Sequence, residues 1–337
     1  MYLLLDELVT LSRTPYFSNS LQDYLNNLIN AVELVIDKYD ALPAEATREI
    51  SETIWLATKY LHGGTSKTVP YETVYALKIA LDDWVSNPCS ISTALRDDLD
   101  YHFLGVDPGQ VIQKFIPGVN FNSKLIQIAL PKLYRHYPLY NVALYHELGH
   151  FVDNECGITN YSFLLQPPAS QHTRLMEEHH RKEYFADLFA ACYTGRAISL
   201  FLDAACRNNQ ISFTHPATSD RISVITDFLK GTSNKLIDFY QNVLDARGLP
   251  KLKKRYVSPD ITDTFDAIRT FPIASIEELH GILDAGWNFL VDTYDHNREP
   301  WSNVEKKDIL RIINDLIEKS IRNRMVVLKW KDASNHR

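Results

Sequence analysis

The sequence predicts a mainly α, α+β protein, and three observations predict it. Apolar residues recur at three- and four-residue steps through both ends of the chain. One stretch, Lys124-Leu125-Ile126-Gln127-Ile128-Ala129-Leu130, reads as the best strand and stops at Pro131. Pro and Gly pairs divide the rest, with Asn87-Pro88 as a boundary. The expected sections are an N-terminal helical region (1–88), a core (89–230) and a C-terminal helical region (231–337).

Leu21, Tyr24, Leu25, Leu28, Val32, Val35, Ile36 and Tyr39 form the first apolar stripe. Pro43 opens a second helix, and Gly63-Gly64 closes it. Pro70 opens a third, with Val74, Leu77, Leu81 and Trp84 as its stripe. Asp107-Pro108-Gly109 and Pro117-Gly118 mark turns ahead of the strand. An apolar helix then runs from Leu139 to Val152, and another surrounds Glu183 to Ala191. Between them, Asn160 to Ser170 holds Pro167-Pro168 and reads as a lid over a cleft or as a crossover loop. Past 230, Ser275-Ile276-Glu277-Glu278 is a capping box before Leu279, Ile282, Leu283, Trp287 and Leu290. A last amphipathic helix runs through Ile309, Ile312, Ile313, Leu316 and Ile317.

Composition sets bounds on partners. The 337 residues are 45% hydrophobic and 23% charged, ordinary for a globular protein with a large core. A net charge of −7 gives no nucleic-acid footprint. Lys251 to Arg255 is a short basic run between Pro250 and Pro259, and reads as a solvated loop. Four cysteines, widely spaced and without a C-x-x-C pattern, suit a reducing compartment. Asp6 and Glu7 end the apolar run of Met1 to Leu5 at once, so it is not read as a signal peptide. No apolar run reaches a membrane span, and a cytoplasmic location is expected.

The chemistry concentrates in His146-Glu147-Leu148-Gly149-His150. On a helix, positions i and i+4 lie one turn apart on one face, so both rings can reach one Zn²⁺. Glu147 then lies where it can take a proton from a water. Gly149 costs helix propensity, and close backbone packing near the metal would account for it. Thirty-three residues after His150, Glu183 and Asp187 stand four apart on a second apolar helix. A catalytic zinc takes three protein ligands and keeps an open position, so Glu183 suits the third. Asp187, one turn on, suits the free ring N–H of a ligating histidine. An exposed stripe on an amphipathic helix is the plain alternative. His179 and His180 belong to a charged run and read as solvent-facing; Cys156 reads as a small core residue.

H-E-x-x-H followed by E-x-x-x-D resembles the gluzincin class of zinc metallopeptidases. Thr214-His215-Pro216-Ala217-Thr218-Ser219-Asp220-Arg221-Ile222 is similar to the T-H-P-x-x-x-x-R-I segment of the minigluzincins and of the CAAX prenyl protease and HtpX-like membrane peptidases. The matching pieces span His146 to Ile222, under a quarter of the chain. The membrane relatives carry spanning helices, whereas this sequence shows none. The resemblance implies a minigluzincin-like zinc-peptidase core with a small antiparallel sheet, flanked by N- and C-terminal helical subdomains. It implies that His215 donates a hydrogen bond to an oxyanion, and that Arg221 is a second donor or an anchor for carboxylates. It also implies an edge strand ahead of the zinc helix, where extended substrate pairs with Leu125, Ile126, Gln127, Ile128 and Ala129. A structural strand without a ligand is the plain reading of that segment.

The expected function is zinc-dependent hydrolysis of peptide bonds in a protein or peptide substrate. One Zn²⁺ per chain is held by His146, His150 and Glu183, with Glu147 as general base. The helical flanks are expected to narrow the cleft or to receive a regulatory protein. Two other readings stay open: a zinc hydrolase of a non-peptide amide, and a non-catalytic helical interaction protein with a structural zinc site.

Overall fold

The computed structural model describes residues 1–337 apart from 15, 17–18, 66–69, 71, 120, 297–298 and 336–337. In chain order come helices α1 (Tyr2–Ser12), α2 (Asn19–Asp37), α3 (Ala44–Gly63) and α4 (Glu72–Asp82). Strands β1 (Cys89–Arg96) and β2 (His102–Val106), helix α5 (Pro108–Gln113) and strand β3 (Lys124–Pro131) follow. The remainder is helical: α6 (Ala143–Cys156), α7 (Ile158–Leu165), α8 (Arg174–Thr194), α9 (Ala197–Cys206), α10 (Thr218–Lys230), α11 (Lys235–Arg247), α12 (Thr262–Asp266), α13 (Ile276–His296) and α14 (Lys306–Asn335). The chain is thus mainly α with a small sheet, as its periodicity predicts. Among the described residues, no helix is long and apolar enough to cross a membrane.

Two compact units form, one from 1–74 and 86–135, the other from 75–85 and 136–337. This division differs from the three expected sections. The stretch from 86 to 135 joins the N-terminal helices because its sheet needs a cover for its apolar face. α2 and α3 supply it. Helices after 230 belong with α6 and α8, and their contacts explain why.

In the first unit, Leu25, Leu28, Val32, Ile50, Ile54, Leu61 and Leu125 are fully buried in one core. The α2 stripe is buried as far as Val35; Tyr39 lies past the helix end and is 48% exposed. The sheet corrects two expectations. It is mixed and not antiparallel: β3 pairs parallel to β1 (Ile91 opposite Ile126) and antiparallel to β2 (Phe103 opposite Ile128). Its order is β1-β3-β2, so Leu125, Ile126, Gln127, Ile128 and Ala129 lie in the central strand and not at an edge. The physical reason is the near-continuous apolar run. From Leu125 to Pro131 every residue is buried, which suits a strand flanked on both sides and covered on both faces. Both backbone edges of that strand are spent on its neighbours.

In the second unit, Trp84 follows α4 and donates from Nε1 to the Tyr193 hydroxyl at 3.0 Å, with its ring edge-on to Phe185. The Asn160 to Ser170 segment is helix α7 in its first half. Arg181 on α8 straps it down, reaching Ser162 Oγ and the Gln166 carbonyl, each at 2.9 Å. At the start of α13, Ser275 Oγ accepts from Glu278 N at 3.1 Å and the Glu278 carboxylate accepts from Ala274 N at 2.7 Å. The C-terminal helices pin the approach to α6. Trp287 on α13 donates to the Leu139 carbonyl at 2.8 Å, and Asn314 on α14 accepts from Leu139 N at 3.0 Å.

Candidate metal centre

Helix α6 carries His146 and His150 one turn apart, with their rings edge to face at 4.6 Å between centroids. Gly149 lies between them against α8. A Cβ there would stand 2.8 Å from Ala186 Cα, so the missing side chain lets the two helices approach. That approach brings Glu183 to both rings. Its Oε1 lies 3.3 Å from His150 Nε2 and its Oε2 3.4 Å from His146 Nε2. Ligand atoms of His146, His150 and Glu183 all lie within 4.8 Å of one another.

A layer of charge sits behind these three. Asp187 Oδ1 stands 2.9 Å from His146 Nδ1, close enough to pair electrostatically though off the line of a good hydrogen bond. Arg221 on α10 grips Asp187 with two parallel bonds, Nε to Oδ2 and Nη2 to Oδ1, each 2.7 Å. Its Nη2 is also 3.2 Å from Glu183 Oε2. Asp187 is 1% exposed and Arg221 6%, so their pairing is a condition of burial.

The electrostatics follow. Burial alone would raise the Glu183 carboxyl, but His146, His150 and Arg221 outweigh it and hold the group far below the usual carboxylate range. Burial alone would lower His146, but Asp187 and Glu183 outweigh it and raise its affinity for a proton. A field that holds a proton on that ring also favours a metal cation in front of it.

Three features of the donor set fit a divalent ion. Two imidazoles and a carboxylate are a usual zinc set. Glu183 Oε2 is buried and lacks a hydrogen-bond partner. Glu183 and Asp187 set two buried carboxylates beside the guanidinium of Arg221 and the two imidazoles, a setting whose negative potential suits a cation.

His215 arrives from the segment between α9 and α10. Its Nε2 lies 3.6 Å from Glu183 Oε1 and its Nδ1 2.8 Å from Thr214 Oγ1. Burial lowers its pKa. The segment is held by residues to which sequence reasoning gave no role. His180 Nε2 bonds the Ser212 carbonyl at 2.8 Å, and Ser212 Oγ accepts from His215 N at 3.0 Å. His179 packs its ring on Phe213 at 5.6 Å. Thr214 belongs to the T-H-P segment and was the one legible signal among them. Neither His179 nor His180 joins the ligand group, nor does Cys156, which ends α6. Glu147 is partly buried beside His146 on α6. The structure leaves Leu125 to Ala129 outside the metal group, in the other compact unit.

No family model, no curated protein and no solved structure matches this chain.

Proposed function

We propose that the chain is a cytoplasmic zinc metalloendopeptidase of the gluzincin type, hydrolysing peptide bonds in a protein substrate. The observation that carries the reading is the convergence of His146, His150 and Glu183, from two helices, beside Glu147. Those three would hold one zinc. When bound, the ion supplies a Lewis acid and lowers the pKa of its water to about 7.

The chain's own residues do the rest. Glu147 takes the proton of the attacking water and passes it to the leaving amine. Asp187 orients the His146 ring so that Nε2 faces Glu183. Arg221 neutralises Asp187 and keeps Glu183 in place. His215 donates from Nε2 to the oxyanion that develops on the scissile carbonyl. That role requires the Thr214 hydroxyl to donate to Nδ1, which puts the ring proton on Nε2.

Metal analysis tests the reading. Protein purified without a metal-binding tag is expected to carry one zinc per chain and to cleave a generic peptide. The His146→Ala, His150→Ala double variant is expected to lose both. No zinc in the wild type, or full occupancy in the double variant, overturns it.

A further inference from the structure

The segment that carries His215 is exposed along most of its length. Residues 207–215 all lie open to solvent, and burial resumes at Pro216 and Thr218. The neck of the segment is closed on itself. Thr218 N donates to the Asn209 carbonyl at 3.1 Å, and Thr218 Oγ1 to the Cys206 carbonyl at 2.9 Å. The tip is a turn stapled by one residue. Ser212 N donates to the His215 carbonyl at 2.9 Å, and Ser212 Oγ accepts from His215 N at 3.0 Å. The backbones of Ser212 and His215 therefore move together.

An exposed turn of this kind swings on its neck unless another element holds it. Among the described residues, the hydrogen bonds and ring contacts that join 210–214 to another element come from two histidines of α8. His180 donates from Nε2 to the Ser212 carbonyl at 2.8 Å. His179 sets its ring edge-on to Phe213, 5.6 Å between centroids. Expected to face solvent, each of the two is half-buried. Both stand about one turn before Glu183 on the same helix, so one rigid rod carries the carboxylate and the anchors of the turn. His215 comes to rest with Nε2 3.6 Å from Glu183 Oε1.

We propose that His180 is a positioning residue. Through Ser212 it latches the 207–215 turn to α8 and so holds His215 beside Glu183. The catalytic consequence rests on the metallopeptidase reading; the latch itself does not. A donor to a developing oxyanion works only when it is held to within about 0.5 Å. It acts in the transition state and not on bound substrate, so a loosened His215 lowers kcat and leaves KM alone.

Two measurements on the full chain test this. Hydrogen exchange in metal-free protein reads the latch. His180→Ala should speed exchange across 207–216 several-fold, with α8 and the circular dichroism as in wild type. His180→Gln, whose amide Nε2 can stand near the place of the ring Nε2, should restore much of the protection. Kinetics on zinc-loaded protein read the consequence. His180→Ala should lower kcat about 10–100-fold, with KM within about twofold and zinc content unchanged, and His180→Gln should recover part of the loss. In a His215→Ala background, His180→Ala should lower kcat by no more than about twofold further, because its effect passes through His215. A general structural fault would add to the loss instead. Unchanged exchange in His180→Ala overturns the latch. Faster exchange with kcat unchanged, or a full further loss in the His215→Ala background, overturns its action on His215. A wild type without zinc or hydrolysis overturns the metallopeptidase reading and this consequence with it, while the exchange result still decides the latch.

Discussion

In the unit formed by 1–74 and 86–135, Glu72 is the buried side chain that carries a charge or an imidazole, among the described residues. In the other unit the set includes His146, Asp153, Arg181, Glu183, Asp187, Arg221, His280 and Asp284. The first unit is a core of aliphatic side chains under a sheet. The second takes up charge at a cost of several kcal/mol per ion unless each is matched. Most are: Asp187 by Arg221, Asp153 by Thr159 N and Oγ1 at 2.6 and 2.7 Å, and Arg181 by Ser162 and Gln166. Glu183 is matched in charge by Arg221 but its Oε2 has no hydrogen-bond partner, and its two oxygens lie against the two histidines, Oε1 by His150 and Oε2 by His146. Buried polarity thus separates a unit organised for packing from one that holds a candidate site.

Substitutions can break that contrast. The largest expected effect is Glu147→Gln, which keeps shape but cannot take a proton. Peptide hydrolysis should fall by about 10²–10⁴-fold or more while zinc content stays at wild-type level. Activity within a few-fold of wild type would assign the base elsewhere. Next is Ile54→Ala in the aliphatic unit, fully buried in the wild type. It should cost about 2–5 kcal/mol in urea unfolding and leave zinc content alone. A loss of zinc without a loss of stability would contradict the contrast.

A pH effect comes third. His280 is buried between Tyr145 and Tyr193, with Nδ1 3.0 Å from the Tyr145 hydroxyl. Burial lowers its pKa to about 4, with Asp83 and Glu277 opposing. The unfolded chain therefore binds this proton more readily than the folded one. The contribution is complete above the unfolded value of about 6.5 and is lost as pH falls towards 4, by roughly 3 kcal/mol in total. Unfolding midpoints between pH 7 and 4 should fall less steeply in His280→Gln. Parallel curves would remove His280 from the account. The smallest effect is on Asp187→Ala, expected to weaken zinc about 10–100-fold in a chelator competition. Unchanged affinity would mean that Asp187 does not act through His146.

Local spacing made much of this legible. His146 with His150, and Glu183 with Asp187, share helix faces because i and i+4 always do. Gly149 looked out of place in a helix, and its closeness to Ala186 accounts for it. β1 was not legible. Its Ser90, Ser92 and Thr93 are buried, so it lacks the apolar signature of a strand. α3 ends close against it, where a Cβ on Gly63 would collide with the Thr93 carbonyl. Nothing within eight residues encodes that contact.

The sequence by itself determined the phase of each helix, the residue types at the site and the mainly α class. Those depend on a backbone repeat that neighbouring residues set. Only the tertiary structure decided that β3 is central, that 86–135 folds with the N-terminal helices, and that Glu183 meets two histidines 33 or more residues away. Such meetings depend on which surfaces bury each other, and side-chain packing between distant segments carries that information.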